Sequence, residues 1–143
     1  MNTKDMHDYA WNWFEYHAGQ RLVAFRFFLI VLGALVLGIS TGLKDENIVL
    51  ASAIAELGVL ISFAFLMLEV RNNRLVDVGR EALKHLERSD ESLKANPKVQ
   101  LLCIDSTRNL FLSHKFWLRV IYVACIGLFL VVALNPTILL VPR

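Results

Sequence analysis

The chain has 143 residues, of which 56% are hydrophobic and 20% are charged. A soluble domain is about 45–50% apolar and about 25% charged, and the apolar excess here is concentrated in three runs, which excludes a disordered chain, a collagen-like chain and an ordinary soluble domain. The net charge of +2 is too small to favour a nucleic-acid partner. The composition therefore predicts a small integral membrane protein.

The N-terminal segment, residues 1–21, is rich in aromatic side chains. Trp11, Phe14 and Ala18 share one face of a helix, and aromatic rings prefer the headgroup level of a bilayer. We predict an amphipathic, interfacial helix that leads into the first apolar run. The sequence leaves an alternative open, in which these rings pack on other helices of the protein.

Three apolar runs are each long enough to cross a hydrocarbon core of about 30 Å, which takes about 20 helical residues. Two of them form the range 22–70 and are joined by the short connection 44–47, which predicts an antiparallel transmembrane hairpin. The third run occupies 116–134, and a tail follows over 135–143. Continuous apolar runs favour helices over a β-barrel, so we predict an all-α fold with three transmembrane helices.

The polar range 71–115 separates the second and third runs and predicts a helical hairpin, with a turn between Ser89 and Pro97. Nine basic residues lie in 69–115, whereas only Lys44 and Arg143 lie on the opposite side. The positive-inside rule therefore places the N-terminus and 71–115 in the cytoplasm, and three spans then leave the C-terminus outside.

Glu56 lies inside the second apolar run, eight residues past Ile48. An intramembrane carboxylate costs about 2.5–3.5 kcal/mol on insertion scales and normally faces a partner or a water-filled cavity. We interpret Glu56 as a pore residue and an ion or proton site. The alternative is a protonated carboxyl group that is hydrogen-bonded to Ser40 or Thr41.

Charged residues gather near the cytoplasmic ends of the first two spans, where Arg26 and Glu69 are expected to meet across the hairpin. We predict an ion-pair cluster at this membrane exit, acting as a gate or as a lipid headgroup site. The alternative is a purely structural cluster with side chains that extend to the interface. The predicted cluster comprises Glu15, His17, Arg21, Arg26, Glu69, Arg71 and Arg74.

Small residues recur at helical spacing on both helices of the hairpin. Such stripes let helix backbones approach closely in lipid. We predict that one stripe closes the hairpin and that the other forms an interface in a homo-oligomer; the alternative is that both pack inside one copy. The residues are Ala34, Gly38 and Gly42 on the first span and Ala51, Ala55, Gly58 and Ser62 on the second.

Arg80, Lys84 and Arg88 form a basic stripe on the amphipathic helix after the second span. We predict that this stripe faces a cytoplasmic protein partner or lipid. Catalytic signatures such as HExxH, CxxC, GxSxG and the phosphate-binding loop are absent from the sequence. We therefore expect no enzymatic activity, no catalytic residue, no metal and no cofactor.

Two segments carry a family resemblance: residues 11–21 (WNWFEYHAGQR) and residues 68–83 (LEVRNNRLVDVGREAL). They resemble the RipA-like family of small bacterial inner-membrane proteins, which implies an octamer. The layout is also similar to the SLATT group of small two-helix proteins, suggested to form pores in bacterial conflict systems, although the third span departs from that layout.

From these observations we expect a ring-like homo-oligomer in the bacterial inner membrane that forms a pore or channel regulated through its cytoplasmic helices. The alternative is a non-conducting scaffold that binds a protein partner or organises lipid. The partners implied are the lipid bilayer, further copies of the chain and a cytoplasmic protein, with no nucleic acid.

Overall fold

The computed structural model describes residues 3–89 and 114–136. The fold is all-α, as predicted, and these residues form the helices α1 (Thr3–Lys44), α2 (Ile48–Ser89) and α3 (His114–Leu134) with no strand among them. The predicted turn and most of the second arm of the hairpin, residues 90–113, and residues 137–143 of the predicted tail lie outside the described residues.

A tight reversal joins α1 to α2. Glu46 adopts a left-handed conformation with φ of 55°, and the amide of Asn47 donates to the carbonyl of Gly42 at 2.8 Å. This is the Schellman arrangement that satisfies the last carbonyls of a helix. Asn47 then caps α2, because its Oδ1 accepts from the amide of Leu50 at 3.0 Å. Local backbone chemistry thus sets the antiparallel hairpin.

Helices α1 and α2 are much longer than a membrane span. Each has 42 residues, a length of about 63 Å against a hydrocarbon core of about 30 Å. The predicted interfacial helix is not a separate element, since α1 is uninterrupted from Thr3 onward. No proline and only Gly19 lies between residue 3 and the apolar run, so nothing breaks the hydrogen-bond ladder.

The chain divides into two compact units. Met1–Leu22 and Val70–Phe116 form one, called here the polar unit, and Val23–Glu69 and Trp117–Arg143 form the other, called the apolar unit. All three described helices are long and apolar enough to cross a membrane. Length and composition therefore make the chain a membrane protein.

Aromatic rings form the centre of the apolar unit. Phe28 and Tyr122 are almost fully buried, with ring centroids 4.6 Å apart, and the ring of Phe28 also lies 5.4 Å from that of Phe65. Near the other end, the Ser52 hydroxyl donates to the carbonyl of Ala133 at 2.8 Å. These contacts place α2 antiparallel to both α1 and α3.

In the polar unit, the N-terminal part of α1 packs on the last turns of α2. The indole Nε1 of Trp13 donates to the carbonyl of Leu75 at 3.0 Å. A Cβ at Gly79 would lie 2.9 Å from Trp13 and 3.2 Å from the backbone of Phe14. These two rings therefore pack within the protein, as the alternative had it, whereas other aromatic rings of the segment stay exposed: Tyr9, Trp11 and Tyr16.

Candidate functional site

The packing of α1 on α2 sets the depth of Glu56. Gly42 faces Ala51 and Phe28 faces Phe65, so Glu56 lies level with residue 37 of α1. It is eight residues, about 12 Å, from the start of α2, which places it well inside the apolar unit.

Glu56 is exposed on the outer face of α2, and it forms no hydrogen bond or ion pair within the part of the chain that the structure describes. The hydroxyls of Ser40 and Thr41 instead donate to carbonyls of their own helix, at 2.9 Å and 3.0 Å. Ala53, Leu57 and Leu60 lie exposed on the same side of α2. One copy of the chain therefore presents a carboxyl group, within an apolar surface, to whatever surrounds it.

Six of the seven residues in the small-residue stripes are buried or half-buried within one copy, and the oligomer interface stays a prediction. A Cβ at Gly38 would lie 3.1 Å from Ile54, and a Cβ at Gly42 would lie 3.1 Å from the backbone of Ala51. A Cβ at Gly58 would lie 2.8 Å from the ring of Phe129. Of the seven predicted residues only Ala34 is exposed, so the stripes bring helices of the apolar unit together.

The structure does not pair Arg26 with Glu69. Glu69 is 4% exposed, on the buried face of α2, whereas Arg26 is exposed and forms no ion pair with a described residue. Arg26 precedes the buried Phe28 by two positions, a rotation of about 200° on a helix. Its side chain therefore leaves α1 away from the packed core.

The other residues of the predicted cluster belong to the polar unit. His17 is half-buried, with its ring centroid 4.6 Å from Trp13 and 5.2 Å from Tyr16. Its environment is therefore aromatic. Arg21 is half-buried, and the remaining three are exposed: Glu15, Arg71 and Arg74.

The basic stripe is only partly open. Lys84 Nζ lies 2.8 Å from Glu81 Oε1, and the Lys84 side chain is 13% exposed. The hydrogen bond from Lys84, together with its positive charge, lowers the pKa of Glu81. Arg80 is half-buried, so Arg88 is the exposed cation of the three.

Two arrangements were not anticipated from the sequence. In the polar unit, Asp77 pairs with Lys115, and its Oδ2 accepts a hydrogen bond from the side-chain Nδ2 of Asn73 at 3.3 Å. In the apolar unit, a groove of about 160 Å³ opens between α1 and α3. The Asp77–Lys115 pair and the groove join residues far apart in sequence, so no local pattern signals them. The groove is lined by Leu32, Val36, Ile39, Ser40, Cys125, Leu128, Phe129 and Val132.

Metal ligands are not gathered anywhere in residues 3–89 and 114–136, where no three His, Cys, Asp or Glu side chains lie close enough to hold an ion. What the described arrangement supplies is a carboxyl group on an apolar face, an exposed guanidinium and a groove.

Comparison with known proteins finds a relative in Escherichia coli, CD-NTase-associated protein 19. It is 30% identical to this chain over 105 residues, which cover 72% of the chain and 67% of the relative. No protein-family model matches the sequence, and no solved structure matches it.

Proposed function

The chain belongs to the family of CD-NTase-associated protein 19, and from this membership and the geometry above we propose that it forms a homo-oligomeric pore or channel in a membrane. The spans of several copies surround the pore, and the helical segments outside the membrane regulate it. The resemblance to the RipA-like family and the SLATT group agrees with an oligomer, an octamer in the first case, and with a pore in the second.

The observation that carries this proposal is the position of Glu56. Its carboxyl group is exposed within the apolar unit and has no partner among the described residues of its own copy. Placing this carboxyl group against lipid in the hydrocarbon core would cost about 2.5–3.5 kcal/mol of free energy. A water-filled space enclosed by several copies removes this cost, and a ring of carboxylates there attracts cations.

The proposed orientation follows the basic residues. Residues 71–115 and the N-terminus lie in the cytoplasm of a bacterium, with the C-terminus outside the inner membrane. The relative is named for its association with a CD-NTase, and we extend that association to this chain as its cytoplasmic protein partner. The chain works without a catalytic residue of its own.

A second candidate function is a non-conducting scaffold. The name of the relative favours it, because a protein that associates with a CD-NTase need only hold that partner at the membrane. In that case the polar unit matters more than Glu56. Arg80, Lys84 and Arg88 then contact the partner or anionic lipid.

The test is ion flux through the purified protein in liposomes, compared with the Glu56→Gln variant. Gln removes the charge but keeps the size, so we expect cation flux to fall about fivefold or more, the change that corresponds to ~1 kcal/mol. Assembly should persist. Glu46→Gln is the matched control, since it makes the same change at an exposed residue in the turn between α1 and α2.

Equal flux in the wild type and Glu56→Gln would remove Glu56 from the conduction pathway. An intact oligomer that passes no ions under any condition, with its partner bound or absent, would leave the scaffold as the function.

A further inference from the structure

The groove between α1 and α3 is an open apolar space on the surface of the apolar unit. Val36 and Leu128 lie along it and are 50% and 67% exposed. Only the Ser40 hydroxyl and the Cys125 thiol interrupt its apolar lining. A hydrocarbon chain suits such a surface, since no strong polar group lies within it.

A positive charge lies on the same side of α1. Arg26, Gly33 and Ser40 recur every seventh residue, so they share one face of the helix. The axial distance from Arg26 to Ser40 is about 21 Å. This matches one leaflet, half of the about 40–45 Å of a bilayer with its headgroups.

An indole lies on the corresponding side of α3. Trp117 is 55% exposed and precedes the groove residue Leu128 by eleven positions, which returns to the same face of a helix. Phe28 packs against Tyr122, so Arg26 and Trp117 lie at the same end of the groove. Indole rings prefer the headgroup level.

We propose that the α1–α3 groove binds one anionic phospholipid, with an acyl chain along Val36 and Leu128 and the phosphate on Arg26. A guanidinium donates two hydrogen bonds to a phosphate in its preferred geometry. Arg26 forms no ion pair with any described residue, so the phosphate supplies the missing counter-charge. Basic sites between transmembrane helices hold lipid headgroups in the same way. This lipid site does not depend on whether the protein conducts.

The experiment is native mass spectrometry of the full chain released from nanodiscs that contain phosphatidylglycerol and phosphatidylcholine. We expect the wild type to retain one phosphatidylglycerol per chain. Arg26→Gln should reduce that retention about tenfold, the loss of a charge-assisted hydrogen bond. The matched control is Arg119→Gln. Arg119 is also exposed, but it precedes Leu128 by nine positions and so lies on the opposite face of α3. The Arg119→Gln variant should retain as much phosphatidylglycerol as the wild type.

A second pair of variants tests the groove itself without touching a charge. Val36→Trp fills the groove and should release the lipid. Val123→Trp is the matched control and should retain the lipid, since Val123 is 57% exposed on α3 and does not line the groove.

Equal loss of phosphatidylglycerol in Arg26→Gln and Arg119→Gln, or no loss in Val36→Trp, would overturn the lipid site. A second copy of the chain in the groove would show a different result: Val36→Trp would dissociate the oligomer and leave lipid retention unchanged, which also overturns the proposal. Failure of the flux test at Glu56 bears only on conduction.

Discussion

At the scale of single residues, Gly58 has the least room for a Cβ among the described glycines of the apolar unit. A Cβ there would lie 2.8 Å from the buried ring of Phe129. We predict that Gly58→Ala lowers the free energy of unfolding by about 1–2 kcal/mol, because overpacking exceeds the gain in helix propensity. Unfolding of the purified protein in mixed micelles, followed by circular dichroism, measures the change.

Gly127→Ala is the control for this substitution. Gly127 is also in an apolar helix, but a Cβ there would meet nothing within 4 Å. The replacement should be neutral or stabilising by up to about 1 kcal/mol. If both alanine variants stabilise the protein, the result contradicts the close contact between α2 at Gly58 and the ring of Phe129.

At the scale of elements, the contact between α1 and α2 in the polar unit depends on Trp13, whose indole donates to the carbonyl of Leu75 across the two helices. Trp13→Phe removes the donor and keeps an aromatic ring. We predict a loss of about 0.5–1.5 kcal/mol, the net value of one such hydrogen bond. Hydrogen exchange of the amides in residues 70–89 should become faster.

Trp11→Phe is the comparison for this element. Trp11 is 47% exposed, and its ring contacts Phe14 of the same helix. Exchange in residues 70–89 should therefore stay at the wild-type rate. Equal acceleration in the two variants would mean that α1 and α2 do not meet through Trp13.

At the scale of the whole molecule, the exposed face of α2 is the reason to expect several copies. Large apolar side chains there, such as Leu57, Leu60 and Phe63, surround Glu56 and are about half exposed. A head-to-tail contact that closes gives a ring, and we predict about four to ten copies, because a pore needs enough spans around its axis. Native mass spectrometry of the protein in nanodiscs counts them.

A monomer or dimer in that measurement would leave no central pore. The polar unit would then be the part that acts, as the membrane-bound side of a complex with another protein. Glu56→Gln is a useful companion here, because its oligomer should have the same mass as that of the wild type.

Much of the fold could be predicted from local patterns. Unbroken apolar runs in a chain with few helix breakers predict long helices, and a four-residue polar connection after Leu43 predicts the hairpin. The predicted interfacial helix differs from the structure because nothing in the sequence ends it: hydrogen bonds continue along α1 past Gly19. Aromatic composition indicated an interface, but composition does not fix where a helix begins.

Local patterns predicted less of the candidate site than of the fold. Spacing placed Gly38, Gly58 and Ser62 on helix-packing faces, but it left open whether the neighbour belonged to the same copy. The answer required the position of Phe129, which lies 71 residues beyond Gly58. Arg26 and Glu69 were predicted to pair because they lie at the same depth in the membrane. The depth of a residue does not determine which way its side chain points around the helix axis.

Hydrophobicity and helix periodicity are local properties, so the order of residues along the chain is enough to predict a membrane protein, an all-α fold and a carboxyl group within an apolar run. Which face of each helix is buried depends on contacts between distant segments and becomes known only from the packed fold. Packing leaves Glu56 and Arg26 exposed, brings Gly38, Gly42 and Gly58 against neighbouring helices of the same copy and opens the groove between α1 and α3. The physical reason is that helix rotation is set by side-chain packing between distant segments.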